Sequence, residues 1–232
     1  MTITELSANQ GFSVSEEQQK LFDAYTDYLL SENEKYNLTA VRDRDGVVIR
    51  HLFDSLAPLF LGEMDETPMS VIDVGTGGGL PGIPLAIAAP QHHYTLLDST
   101  EKKCAFLRSF LAQVDLSVEV TWGRAEELGQ GEYREKFDLA VSRAVASLPS
   151  LCELVLPMLK VGGRFIAYKG EKGREELEAA RMAIGILGCR VEKVLDAPTG
   201  DGSSACLIII EKEKHTPKTY PRKWGQIKKK PL

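Results

Sequence analysis

A chain of 232 residues with 43% hydrophobic content can bury the core of one α/β domain, and it holds neither repeats nor low-complexity stretches. Its longest late apolar run, Leu207 to Ile210, is far too short to span a bilayer, and Met1 to Gln10 lacks the pattern of a secretory signal; no membrane partner and a cytoplasmic location are expected. The net charge of −5 hides an asymmetry, because Lys212 to Leu232 carries eight Lys/Arg against one Glu, or +7, which leaves −12 on the rest. Cys104, Cys152, Cys189 and Cys206 lie far apart with no C-x-x-C pair, so reduced core thiols are expected, with neither zinc nor a disulfide framework.

Ser15 and Gln18 form a capping box that opens a helix, along which Leu21, Phe22, Tyr25, Tyr28 and Leu29 recur at helical spacing as core positions. Asp45 to Leu61 reads as a second helix with Val48, Leu52, Leu56 and Leu59 as its buried stripe. Gly62 to Pro68 reads as the loop to a first strand, Val71 to Val74, which leads into Asp73-Val-Gly-Thr-Gly-Gly-Gly-Leu-Pro-Gly82 and a helix from Leu80 to Ala89. Next come a strand from Tyr94 into Asp98, a helix from Glu101 to Leu111, and strands at Val118–Trp122, Phe137–Ser142 and Arg164–Tyr168. A helix from Glu175 to Leu187 precedes two last strands, Arg190 to Leu195 and Ala205 to Glu211, whose short connection makes them antiparallel. The fold class expected is α/β: a mostly parallel, doubly wound, seven-stranded sheet with one reversed edge strand. The division expected is an N-terminal helical extension (1–66), the sheet domain (67–213) and a basic tail (214–232).

The glycine-rich turn carries the most chemistry. Glycines at 75, 77 and 79 let the backbone turn sharply and approach a ligand without Cβ in the way. Counting from Gly75 puts Leu80 where a dinucleotide fingerprint needs its last glycine, and no phosphate loop with Lys follows, so little here suits a pyrophosphate. The acid at Asp73 favours a nucleoside with a cationic tail, and Asp98, at the end of the second strand, is placed to accept hydrogen bonds from both ribose hydroxyls. S-adenosylmethionine meets that description.

Taken together, the run 73–82, Leu96-Leu97-Asp98-Ser99, Arg124-Ala125-Glu126-Glu127, Ser142-Arg143-Ala144 and Tyr168-Lys169-Gly170 resemble the ribosomal RNA small-subunit methyltransferase G family. Tyr36-Asn37-Leu38-Thr39, Arg50-His51-Leu52-Phe53-Asp54-Ser55-Leu56 and the closing Lys229-Lys230-Pro231-Leu232 extend the resemblance over nearly the whole chain. It implies the class I methyltransferase fold, S-adenosylmethionine as cofactor, and methylation of N7 of one guanine in 16S ribosomal RNA, naked or within a small-subunit particle, by a monomer. It also implies cofactor contacts at Gly75 and Leu80, at Ala125 and Glu126, and at Arg143, beside the turn glycine Gly77 and the ribose acid Asp98. Glu126 also reads as a first-turn acid favoured by the helix dipole. Arg143 follows a buried strand and is expected to face a carboxylate or phosphate.

No side chain is assigned to catalysis, because N7 carries no proton and its in-plane lone pair needs only positioning. Neither the [DNS]-P-P-[YFW] motif of amine methylation nor a placed Cys for attack on a pyrimidine carbon is present. The RNA grip is sought in the tail, at Arg222 and Lys223 around the aromatic Trp224, in Asn37, His51 and Asp54, and in Lys169. A solvated tail, and a helix-surface ion pair between His51 and Asp54, are the plainer readings of two of these. Truncation after Glu211 is expected to weaken RNA binding and flatten its salt dependence while cofactor affinity changes little. A small-molecule or protein methyltransferase on the same fold is the alternative enzyme, and a non-catalytic RNA-binding assembly factor the alternative outside enzymes.

Overall fold

The computed structural model describes residues 1–64 and 66–232; Asp65, inside the expected loop 62–68, lies outside the described residues. Seven strands form one sheet: β1 (Ser70–Val74), β2 (His93–Asp98), β3 (Val118–Trp122), β4 (Phe137–Arg143), β5 (Leu159–Gly170), β6 (Cys189–Asp196) and β7 (Ala205–Lys212). The spatial order is β3-β2-β1-β4-β5-β7-β6. β1 to β5 pair in parallel, while β7 runs antiparallel between β5 and the outermost β6. The expected class holds. Strand order reverses between β1 and β4, where an open α/β sheet opens a crevice outside its carboxyl ends.

Alternate residues of the central strands enter opposite faces, as strand geometry requires. Val71, Leu139, Val141, Ile166 and Ile209 join the core beneath the N-terminal helices, whereas Ile72, Ala140, Phe165, Ala167 and Ile208 join the other. The first face is covered by α1 (Ile3–Ala8), α2 (Glu16–Tyr36), α5 (Gly82–Ala88) and α6 (Glu101–Leu111). The Ser15/Gln18 capping box opens α2 as the spacing requires, with Gln18 N–H to Ser15 Oγ at 3.2 Å and Ser15 N–H to Gln18 Oε1 at 2.9 Å. Its aromatics are core: Tyr25 and Tyr28 pack on Phe110 and Phe106 with ring centroids 5.3 and 5.1 Å apart.

The second face is covered by α7 (Ala125–Gln130), α8 (Leu148–Val155), α9 (Gly173–Ile186) and a short C-terminal helix, α10 (Trp224–Lys229). The single helix expected over 45–61 is broken. A short α3 (Arg44–Val47) runs into a π-helical stretch, Val48–Phe53, and α4 (Ala57–Phe60) follows. Ser55 Oγ donates back to the His51 carbonyl at 2.5 Å, and Pro58 lacks an N–H, so the regular ladder cannot run through. The four cysteines are buried free thiols. No described helix is long and apolar enough to cross a membrane.

Candidate active site

The site is built at the carboxyl ends of β1, β2 and β4, brought level by the pairing of Val74 with Leu97 and of Asp73 with Val141. After β1 the loop turns over β2: Gly75 and Thr76 N–H both donate to the Leu97 carbonyl, at 2.8 and 3.0 Å. Gly75 has φ +76°, and a Cβ there would meet Val145 Cγ2 at 2.4 Å, so both conformation and close approach require glycine. From the opposite side, Tyr25 of α2 donates to the Gly78 carbonyl at 2.7 Å. The N-terminal helices thus hold the back of the loop.

Two acids face this turn. Asp98, 7% exposed, accepts from Gly77 N–H at 2.9 Å through Oδ2 and from Thr100 N–H at 2.8 Å through Oδ1. Each oxygen keeps acceptor capacity, since an ionised carboxylate offers about four lone-pair sites. Asp73 is 1% exposed, and its Oδ2 accepts from Thr76 Oγ1 and Gly82 N–H at 2.7 and 2.9 Å. Its Oδ1 is buried with no hydrogen-bond partner. Burial pushes the Asp73 carboxyl up to about 6, against the pull of those hydrogen bonds and of Arg143. An unpaired buried carboxylate oxygen calls for a cation, and Asp98, an acceptor for uncharged ribose hydroxyls, lies one strand away. These residues fit a nucleoside with a positively charged tail.

Gly75, Asp98, Ala125 and Glu126 line one narrow cavity of about 170 Å³. Glu126 holds Arg124 there, Oε1 to Nε at 3.0 Å. Gly77 reaches the cavity through its bond to Asp98, whereas Leu80 sits half-buried in the turn, its N–H on the Thr76 carbonyl at 2.9 Å. Arg143, Asp54 and Lys169 line a second, wider cavity of about 640 Å³, and Val145 borders both. Ala144 turns the chain there with φ 57°, a left-handed conformation uncommon outside glycine.

Arg143 forms no ion pair among the described residues, and its Nη1 donates to the Arg50 carbonyl at 3.4 Å. It is half-buried; desolvation pulls its pKa down, against the charge-favouring pull of Asp54 and Asp73. The helix-surface pair between His51 and Asp54 does not form. His51 Nε2 meets Thr39 Oγ1 at 2.5 Å, and Asp54 Oδ1 accepts from Gly200 N–H at 3.0 Å. Burial, helped by Arg143, pushes His51 down to about 4; burial pushes Asp54 up to about 6. Lys169 Nζ donates to Glu176 Oε2 at 2.8 Å and to the Ala146 carbonyl at 2.9 Å. Asn37 is exposed at the left-handed end of α2, outside both cavities.

The tail departs from what the sequence suggests. Arg222, read as a phosphate contact, commits its backbone N–H, Nε and Nη2 to the fully buried Glu153 of α8 at 2.8, 2.8 and 2.6 Å. A buried carboxylate holds that guanidinium more tightly than solvated RNA phosphate would, so Arg222 is an anchor. Lys223 is exposed. Trp224 lines the narrow cavity together with Asp98 and Glu126. Nothing in the local sequence signals that contact; the one available cue, an aromatic among cations, suggests base stacking instead.

The reversed β7, the glycine loop after β1 and the acid ending β2 define a class I, S-adenosylmethionine-dependent methyltransferase. Solved structures share the fold: a Pyrococcus horikoshii protein superposes with a TM-score of 0.55 at 16% identity, covering 81% of this chain and 99% of that one. M. jannaschii TYW2, solved in complex with AdoMet, superposes with a TM-score of 0.50 at 15% identity, covering 62% and 67%. The family model for rRNA small subunit methyltransferase G matches residues 18–203. Proteins named ribosomal RNA small subunit methyltransferase G are 44% identical in Staphylococcus carnosus, over 95% of this chain and 93% of theirs, and 46% identical in Moorella thermoacetica, over 97% and 95%. The chain belongs to the rRNA small subunit methyltransferase G family.

Proposed function

We propose that this chain transfers a methyl group from S-adenosylmethionine to N7 of one guanine in 16S ribosomal RNA, acting in the cytoplasm. The observation that carries this reading is the pair of cavities meeting at Val145: a narrow one with a ribose acid, and a wide, charged one able to admit a base. The cofactor supplies an electrophilic methyl group on a sulfonium. When bound, the cofactor would be held by Asp98 at the ribose and by Gly75, Ala125 and Glu126 along the nucleoside wall, with Gly77 and Leu80 holding the turn and Asp73, buried beneath it, offering its negative charge to the cationic end. Val145 stands where the two cavities meet.

N7 is hidden in the deep major groove of A-form RNA, so the target base has to leave its stack, and the wide cavity suits an extruded purine. Methyl transfer moves positive charge from the cofactor onto that purine, toward a cavity that carries Asp54 and Glu176. Lys169 and Arg143 are placed for the guanine O6 or a flanking phosphate; His51, held by Thr39, and Asn37 lie outside both cavities on the approach to them, and Lys223 faces the RNA backbone. No proton has to be removed, and none of these groups is assigned as a base.

The test uses purified protein, S-adenosylmethionine, and either naked 16S RNA or small-subunit particles from cells lacking the gene. Mass spectrometry of nuclease fragments is expected to show one new N7-methylguanine. A methyl group on another atom, or none in the RNA of either preparation, overturns the proposal.

A further inference from the structure

The narrow cavity is not completed by the sheet. Its walls are backbone and aliphatic or short polar side chains, apart from Asp98, Glu126, Arg124 and a single aromatic ring, that of Trp224. Adenine is flat, and a face of an aromatic side chain is the surface on which a base stacks best. Trp224 lines the same cavity as Gly75, Asp98 and Ala125, with the Arg124 guanidinium 6.0 Å from its ring centroid, so the ring is part of the wall of the pocket that holds the ribose acid. We infer that Trp224 forms the adenine wall of the cofactor pocket, and that the C-terminal segment is a strap which completes that pocket. The inference rests on the cofactor reading proposed above.

Several contacts hold the strap in the position this role demands. Arg222, two residues before the ring, is locked by backbone and side chain to the buried Glu153, whose neighbour Leu154 also lines the cavity. Gln130 of α7 donates to the Lys218 and Pro221 carbonyls at 3.2 and 2.9 Å, and Arg134 donates to the Tyr220 and Thr216 carbonyls at 2.8 and 2.5 Å. Lys212, fully buried, meets Glu135 at 3.2 Å where the strap leaves β7. Beyond the ring, Ile227 is fully buried against the second core. The Arg124 guanidinium lies 6.0 Å from the Trp224 ring centroid and is steadied by Glu126, so the indole is braced by a cation–π contact. A solvated tail would need none of this. A ring fixed before the ligand arrives loses little freedom on stacking.

Calorimetry on the full chain with S-adenosylmethionine, and separately with 5′-methylthioadenosine, tests the assignment. Trp224→Ala is expected to weaken both ligands by the same factor, about 5- to 150-fold, because the lost contact is to the base they share; Trp224→Phe is expected to restore most of it. A variant with Trp122→Phe leaves Trp224 as the sole indole, and its fluorescence is expected to be quenched by either ligand in a protein whose strap is intact, which covers failure of the alanine variant to fold. Unchanged affinity in a folded Trp224→Ala protein, or no quenching in the Trp122→Phe protein, overturns the inference. Asp98→Ala separates it from the reading beneath: if Asp98→Ala loses affinity and Trp224→Ala does not, only the adenine wall falls, whereas if neither variant loses affinity the cofactor pocket itself is misplaced.

Discussion

At the scale of single residues, the site rests on carboxylates with different duties. Asp98 spends one lone pair of each oxygen on Gly77 and Thr100 and keeps the rest for a ribose. Asp98→Ala is therefore expected to weaken S-adenosylmethionine binding by about 1.5 to 3 kcal/mol, roughly 10- to 150-fold, by calorimetry on a folded variant. Asp73 differs in that burial holds its carboxyl up at about 6, with the Asp98 charge adding to the rise. A raised carboxyl contributes most to stability below its ordinary value of 3.8 and loses that contribution as pH climbs through about 6; a bound cation offsets the loss. Cofactor affinity is expected to grow by up to about tenfold per pH unit below 6 and to level off above it. Asp54 titrates in the same range but lines the other cavity, so Asp73→Asn isolates the effect: if the variant keeps the rise, Asp73 does not hold the cationic end. His51, pushed down to about 4, stays neutral at working pH, and its own contribution to stability falls away as pH drops below 6.5. At saturating cofactor, the single-turnover rate is expected to be flat from about pH 7 to 9. A unit slope that breaks near pH 4, the value to which His51 is pushed, and that disappears in His51→Ala would make His51 a general base instead.

Elements show which parts of such a chain can be read locally. The glycine loop, the capping box of α2 and the acid ending β2 are written in a few adjacent residues, because each depends on backbone conformation or on one short-range hydrogen bond. The break at 48–56 is not legible from periodicity: Val48, Leu52, Leu56 and Leu59 satisfy an α-helical stripe equally well, and that stripe hides the π-helical stretch over Val48–Phe53. α10 is six residues long, too short for periodicity to show, and its place is set by a glutamate seventy residues upstream of it in the chain. That same pair makes Arg222 a structural residue. Removing one member of a buried ion pair leaves the other uncompensated, at a cost of about 3 to 5 kcal/mol. Arg222→Ala is expected to lower the midpoint of urea unfolding accordingly while leaving the salt slope of RNA binding nearly unchanged. A normal midpoint with a shallower slope would return Arg222 to the RNA.

The whole molecule separates charge by task. The body carries −12 and would repel RNA, so the +7 segment from Lys212 onward sets the direction of approach. Within that segment Lys212 is occupied by Glu135 and Arg222 by Glu153. Lys214, Lys218, Lys223, Lys228, Lys229 and Lys230 are exposed and form no ion pair among the described residues. Neutralising a phosphate on a single strand contributes about −0.7 to the slope of log K against log salt. Replacing all six lysines by Gln is therefore expected to flatten the slope by up to about 4, and replacing Lys228, Lys229 and Lys230 alone by about 2. Anisotropy titrations with a 16S loop fragment over a range of salt concentrations read this directly. None of the six lines the narrow cavity, so the substituted protein is expected to bind S-adenosylmethionine as the parent does, whereas truncation after Glu211 removes Trp224 and lowers both affinities. An unchanged slope in the six-lysine variant would place the phosphates on another face, and the lysines would then serve only to solvate the outer side of the strap.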